Sequence, residues 1–490
     1  MVDNLARKLD NAPKANIEIS EAPVKWCSVS LAEMVERGKR LEASVFDVEA
    51  RQAWDLINNN KYPITSLGGV NGLTTSYTCG RFKRIWVKKS EYPIYQPSSI
   101  VDIKPTPDGY ISKKTNVNID SLRVHKGQIL LTCSGTIGKT SLVSQTLDNA
   151  IFSHDLLRID CKNPVDIGYI YTYLKSKIGS QILITNKYGA VITHIESEHL
   201  DTVPIPNAPD AIKSKINDLI IQSYALRDES NALIDQAQAL LVKELNLPPI
   251  SEIKVDTLDK SKSVQTFNVK LSEMAGRADA SYHVPIVDAI VDILKKNAAE
   301  VTTVGDERIS KSVVLAGVFK RTYVQEEYGY PFLGGKEITQ LNPKTEKFLS
   351  KAIHKSRYEK ELKVTENTVL VTDRGTIGTV ALVPKHWNNY AVSQNVLKLI
   401  PANNDIAGYI YVFLSSECGG ILLRRQTYGS VVDMIDNHSL EMVEFPILKN
   451  QDIQKQINDL ALQANEKRYQ AYLLEQEALK VLDEEVIYAE

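Results

Sequence analysis

Cysteine is scarce in this sequence, and what there is lies scattered. Of 490 residues five are cysteine: Cys27, Cys79, Cys133, Cys161 and Cys418. The number is odd and no pair has C-x-x-C spacing, which argues against a disulfide framework or a zinc site and for reduced thiols. Long apolar runs are missing too. None approaches the ~20 residues of a membrane span, and the opening MVDNLARKLDNAPK has no apolar core of a secretory leader. A cytoplasmic location with no membrane partner is expected. Neither sign of charge dominates. The net charge is −2, unlike a chain that holds nucleic acid by bulk charge alone. The balance hides an asymmetry: about −2 on Asn207–Asn246 and about −4 on Lys449–Glu490 leave about +4 on the rest. That mild excess favours phosphates.

Catalytic signatures are also lacking. There is no HExxH, no GxSxG and no H-x-E with P-C-x-x-C. Adenine methyltransferases carry an Asn/Asp-Pro-Pro-aromatic loop, whereas here Asn163-Pro164 and Asn342-Pro343 run into Val165 and Lys344. Gly138-Lys139-Thr140 resembles the end of a P-loop. The glycine such a loop needs five positions earlier is Cys133, and a second copy of the stretch has Thr379-Val380 in place of Lys-Thr. No catalytic residue, cofactor or metal ligand is expected.

What the chain does contain is a repeat. LLTCSGTIGKTSLV from Leu130 returns as LVTDRGTIGTVALV from Leu370. Each reads as strand, turn, strand, with the glycines of Gly-Thr-Ile-Gly supplying positive φ. The same offset of about 240 residues pairs Ser153-His154 with Ser393-Gln394, Gly168-Tyr169-Ile170 with Gly408-Tyr409-Ile410, and Tyr188-Gly189 with Tyr428-Gly429. Upstream, Gly80-x-Phe82-Lys83-Arg84 answers Gly317-x-Phe319-Lys320-Arg321. A colinear series of this kind means two copies of one unit.

The fold class expected is α+β. Two pseudo-repeated α/β domains, 25–206 and 263–447, are separated by two long coiled-coil helices, 207–247 and 448–490. Residues 1–24 form an N-terminal extension and 248–262 a polar linker. Proline and glycine at short intervals suggest a twisted, mostly antiparallel sheet in each domain. Alternating steps of four and three mark a heptad seam in both long segments. The first places Ile216, Leu219, Leu226, Leu233 and Leu240 on the seam, the second Ile457, Leu460, Leu474 and Val481. Ser223, Ser230 and Lys467 interrupt it, which suits a pair with one partner and one register.

Basic residues recur at equivalent places. Lys83-Arg84 and Lys320-Arg321 precede a predicted strand, Arg374 sits at the second Gly-Thr-Ile-Gly turn, and Lys187-Tyr188 and Arg424-Arg425…Tyr428 occupy the Tyr-Gly loops. Arginine and lysine hold phosphates or read guanine, and tyrosine contacts base or phosphate. A solvated basic surface accounts equally well for any one of them, and recurrence favours the group.

This order of hairpin, Ser-His/Ser-Gln segment, Tyr-Gly loop, proline-marked strand and heptad helix, all duplicated, resembles the specificity subunit of type I restriction–modification systems. The resemblance runs from about residue 25 to the end. It implies that each globule is a target recognition domain reading one half of a split, asymmetric site in double-stranded DNA. It implies that the two long helices pack antiparallel as a ruler and dock two adenine-N6 methyltransferase subunits, with restriction and translocase subunits joining, in phage defence. The alternatives from the residues alone are a stand-alone DNA-binding regulator and a two-domain protein adaptor.

Overall fold

The computed structural model describes residues 28–36, 46–185, 193–253, 255, 266–274, 276–343, 345, 347–429 and 432–489. The expected extension 1–24, much of the linker, and Lys187 and Tyr188 lie outside these residues.

In the first copy, α1 (Leu31–Glu36) and α2 (Val48–Asn58) precede β1 (Ile64–Ser66), β2 (Thr74–Tyr77), β3 (Trp86–Val87), β4 (Pro93–Tyr95) and β5 (Gly109–Ile111). Strands β6 (Ile129–Thr132), β7 (Thr140–Leu142), β8 (Ile151–Phe152) and β9 (Leu156–Cys161) follow. Helices α3 (Asp166–Lys175), α4 (Lys177–Thr185) and α5 (Ser197–Leu200) lead to β10 (Pro204–Pro206) and the long α6 (Asp210–Glu244). The second copy opens with α7 (Pro285–Asn297), β11 (Glu300–Thr303), β12 (Ser310–Val314), β13 (Tyr323–Val324), β14 (Gly329–Leu333) and β15 (Phe348–Ser350). After α8 (Lys351–Arg357) come β16 (Val369–Thr372), β17 (Val380–Leu382), β18 (Ala391–Val392) and β19 (Val396–Pro401). Helices α9 (Asn404–Ser415), α10 (Glu417–Arg425) and α11 (Asn437–Glu441), then β20 (Glu444–Ile447) and the long α12 (Gln451–Leu482), complete it.

The copies match strand for strand. Sheet β2-β9-β6-β7 corresponds to β12-β19-β16-β17, sheet β3-β5-β4-β8 to β13-β15-β14-β18, and the ribbon β1-β10 to β11-β20. Pairing is antiparallel except for β4 with β8 and β14 with β18. Strands β6 and β16 are buried throughout, hence their unbroken apolar sequence. Alternate side chains serve different cores: Ile129 and Leu131 face one cluster and Leu130 another, as Val369 and Val371 do relative to Leu370. The repeated turn closes through Thr132, whose hydroxyl donates to the carbonyl of Thr136 (2.6 Å) and accepts from the amide of Lys139 (3.0 Å). Gly135, Gly138, Gly375 and Gly378 have φ of 70°, 91°, 77° and 84°, the conformation the turn requires.

The repeated Gly-Tyr-Ile has a packing cause. At Gly168 a Cβ would lie 2.5 Å from the Cα of Asn217 on α6, and at Gly408 it would lie 2.3 Å from the carbonyl oxygen of Asn458 on α12. Only glycine admits that approach. The two asparagine side chains accept the glycine amides at 2.9 and 2.8 Å. Each following tyrosine hydroxyl donates to a proline carbonyl on the last strand, Tyr169 to Pro206 and Tyr409 to Pro446.

Helices α6 (35 residues) and α12 (32 residues) pack antiparallel. Ser223 donates to the carbonyl of Ala471 (2.7 Å), and Lys215–Glu485 and Lys467–Glu229 pair at 2.6 and 2.5 Å. At 1.5 Å per residue each spans roughly 50 Å. The seam differs from the expected one by one residue at alternate positions. On α6 the buried residues include Ile216, Ile220, Ser223, Ser230, Ile234, Ala237 and Leu241, and Leu219, Leu226, Leu233 and Leu240 are half-buried on its flank. On α12 the buried series is Ile457, Ala461, Ala464, Arg468, Ala471, Glu475, Ala478 and Leu482. Leu460 and Leu474 are flanking there, and Val481 is buried beside Leu482. The cause is that neither helix meets only its partner. The N-terminal half of α6 and the C-terminal end of α12 enter the first domain's core, while the other halves enter the second's. The buried stripe turns toward the domains. Small residues take the close crossing, and Leu219, Leu233, Leu240 and Leu460 pack against the domain cores from its edge. Among the described residues no single helix is long and apolar enough to cross a membrane.

Candidate nucleic-acid interface

Each small sheet has two end strands: β8 and β18 are bridged by Arg123 and Lys363, while β3 and β13 have no further strand beside them among the described residues. In each copy the basic pair runs directly into the latter strand. Lys83 and Lys320 are exposed, whereas Arg84 and Arg321 are half-buried. The Arg84 guanidinium lies 5.9 Å from the Trp86 ring centre, and that of Arg321 lies 5.3 Å from Phe332. Two residues past each arginine an aromatic stands out on the edge strand: Trp86 is 50% exposed and Tyr323 41% exposed. Gly109 underlies Trp86, where a Cβ would stand 3.0 Å from the indole. Ile85 and Val87 flank Trp86 in the open, beside Arg81, Lys88 and Lys89. In both copies an exposed aromatic and an exposed lysine lie together at an edge strand of the small sheet.

Sequence reasoning singled out the basic pairs and passed over Trp86 and Tyr323. The signal was there: extending the Phe-Lys-Arg alignment by two residues pairs Trp86 with Tyr323 and Val87 with Val324.

The other expected positions divide. Arg424 is exposed at the end of α10, which continues through residues expected to form a loop. Arg425 faces inward. It pairs with Glu444 on β20 (2.8 Å) and Asp288 on α7 (3.4 Å), covers the Tyr282 ring at 4.6 Å, and its side chain is 13% exposed. Its charge is spent joining three elements of its own domain, so it is withdrawn from the expected DNA-reading set. Arg374 lies against the buried Asp373 (2.8 Å), and the Tyr428 hydroxyl donates to Asp436 (3.2 Å). Both keep an exposed portion near the Gly-Thr-Ile-Gly turn. His154, where the second copy has Gln394, faces Asp155 (3.3 Å) and the Phe82 ring. Burial pushes its pKa down, with Arg84 and Arg81 adding to the effect against Asp155. Among the described residues no group of three or more His, Cys, Asp or Glu side chains is placed to hold a metal ion.

The geometry is that of a duplicated scaffold: two like domains, each with a basic and aromatic edge, seated on one helix pair. The family model described as "Type I restriction modification DNA specificity domain" matches residues 23–236 and again 317–461. Those spans make up more than half of the chain, which belongs to that family. Among solved structures the chain is similar to the S subunit of a type I restriction–modification system from M. genitalium. The identity is 14% over 85% of this chain and 98% of that one, with a TM-score of 0.30. It is similar to the HsdS subunit from Thermoanaerobacter tengcongensis at 13% identity, over 85% and 98% of the two chains, with a TM-score of 0.26. It is likewise similar to a structure described as the basis of complex assembly and conformational transition of the type I R-M system, at 14% identity over 86% and 96%, TM-score 0.27. No curated protein matches the sequence.

Proposed function

We propose that this chain is the non-catalytic, sequence-reading subunit of a type I restriction–modification complex. Each globule reads one half of a split site in double-stranded DNA, and the helix pair holds the readers apart and docks two adenine-N6 methyltransferase subunits. Restriction and translocase subunits join the same assembly.

The observation that carries this is the recurrence of one exposed basic and aromatic edge, Lys83-Arg84…Trp86 and Lys320-Arg321…Tyr323, on two domains of a DNA-specificity family. Pseudo-twofold proteins on B-DNA place equivalent elements near successive major grooves, about 34 Å apart. A helix pair of roughly 50 Å is long enough for that. The copies differ at most positions outside their shared scaffold, so the half-sites differ and the target is asymmetric. Near-neutral charge suits a reader whose partners supply part of the phosphate contact.

The test is reconstitution. Purified with an adenine methyltransferase partner, the chain confers methylation at one gapped motif, and alone it transfers no methyl group from S-adenosylmethionine. Methyl transfer by the chain alone contradicts the proposal. Tight specific DNA binding without partner points to a regulator, and absence of DNA binding with partner points to a protein adaptor.

A further inference from the structure

The two domains touch each other as well as the helices. Counting seven residues from the ends of the matching strands β4 and β14 reaches Asp102 in one copy and Gln340 in the other. These equivalent residues form an antiparallel bridge with each other. The amide of Ile103 donates to the carbonyl of Thr339 (2.9 Å), and the Thr339 hydroxyl donates to Asp102 Oδ1 (2.6 Å). A loop that meets its own counterpart in this way marks the pseudo-twofold axis of the molecule.

Both loops are pinned to the long helices. The carbonyl of Ile103 accepts from Asn231 on α6 (2.9 Å), and Lys104 pairs with Asp235 one turn further on. In the other loop, Asn342, the counterpart of Lys104, donates to Glu475 on α12 (3.1 Å). Glu475 has no exposed surface. It also takes Lys175 from the first domain (2.6 Å), the Tyr171 hydroxyl (3.0 Å) and Arg227 from α6. One buried carboxylate thereby joins both domains and both helices. The heptad-equivalent position on α6 is Ile234, so this hub exists once.

We infer that the clasp at this axis, Asp102 and Ile103 against Thr339 and Gln340 with Asn342 on Glu475, fixes the separation of the two recognition domains and hence the length of the non-specific gap in the DNA site. The inference rests on the split-site reading above. The helix pair seats each globule on both helices toward one end, and without the axis contact no direct link joins the two globules there. Contact at the axis closes the frame into a loop of four parts, and closed frames resist bending where open ones do not. Thr339 and Asn342 are positioning residues: they lie away from the exposed edge strands and act through where those edges stand.

Two measurements on the full chain test it. Cysteines replacing Asp102 and Gln340 face each other across the bridge, where backbone spacing suits a disulfide. Mild oxidation of the free chain should join them nearly completely, seen as a mobility shift that reductant reverses. A folded chain that fails to cross-link overturns the clasp. The second measurement is methylation, with partner, of DNAs that keep the half-sites and change the gap by one base pair. The paired change Thr339→Val and Asn342→Ala should lower discrimination against the wrong gap by about ten-fold, leaving the half-sites unchanged. The oxidised cysteine pair should stay as strict as the parent chain. Strict gap choice in the loosened variant overturns the inference alone. Absence of any gapped site with the parent chain overturns the functional reading and this inference with it.

Discussion

Trp86 and Arg425 show how differently two conspicuous residues serve one domain type. The indole stands half out of a free edge, and its removal leaves no cavity in a core. Trp86→Ala should therefore relax or weaken reading of one half-site, Tyr323→Ala the other, with urea midpoints close to the parent. Loss of a good base contact is worth about 1–3 kcal/mol of discrimination. Arg425→Ala strands Glu444 and should lower the midpoint without changing the motif that is methylated. A shifted motif in Arg425→Ala, or an unshifted one in Trp86→Ala, contradicts the assignment. His386 adds a pH dependence. Its ring stacks on Tyr472 of α12 at 4.0 Å, and Nε2 of the neutral form donates to the carbonyl of Leu341 (2.8 Å). Burial pushes its pKa down to about 4, against the pull of the Leu341 carbonyl and Glu475. The unfolded ring titrates near 6.5, so between these values the unfolded chain binds more protons. This contribution is complete above about 6.5 and lost as pH falls toward 4. In urea titrations across that range, His386→Gln should flatten the loss. An equally steep loss in the variant means other groups carry it.

The long helices were legible as helices and as a pair of nearly equal length, because a heptad count needs only the sequence; their antiparallel packing came from the family resemblance, since such a count carries no direction. Which face they bury was half legible. Ile216, Ser223, Ser230 and Ala237 sit where the count puts them, and the intervening positions fall one residue later because both domains claim a share of each helix. A count over one strand of sequence contains no information about a third body. The Tyr-Gly loop was misread for a similar reason. Ser416 caps α10 by accepting from the amide of Gly419 (3.1 Å), and the helix then runs to Arg425, so the arginines lie on it and only Tyr428-Gly429 fall beyond. Two adjacent glycines, Gly419 and Gly420, hide it from a reader of propensities. The packing also changes how the helices' length is to be tested. Extra residues in α6 alone would slide it out of register with α12. One heptad inserted in both, after Ser230 and after Ala464, keeps the stripe and adds about 10.5 Å, roughly three base pairs. The methylated gap should lengthen by about that amount and grow less strict as the domains leave each other at the axis. An unlengthened gap would mean that spacing is set without the helices.

At the scale of the whole molecule, the duplication was visible from end to end, because the residues that dock each domain recur at a fixed offset. The contact between domains was not. Asp102 and Gln340 share no residue type, and nothing local marks a loop that pairs with its equivalent far along the chain. Their meeting bears on ancestry. A surface patch that faces its own copy across an axis is what two identical half-length chains form when they dimerise. The present chain holds two such halves in line. Within one chain, identity across the axis is not required. Asp102 faces Gln340, a single glutamate serves where symmetry would demand two, and the two edge strands carry Trp86 on one side and Tyr323 on the other.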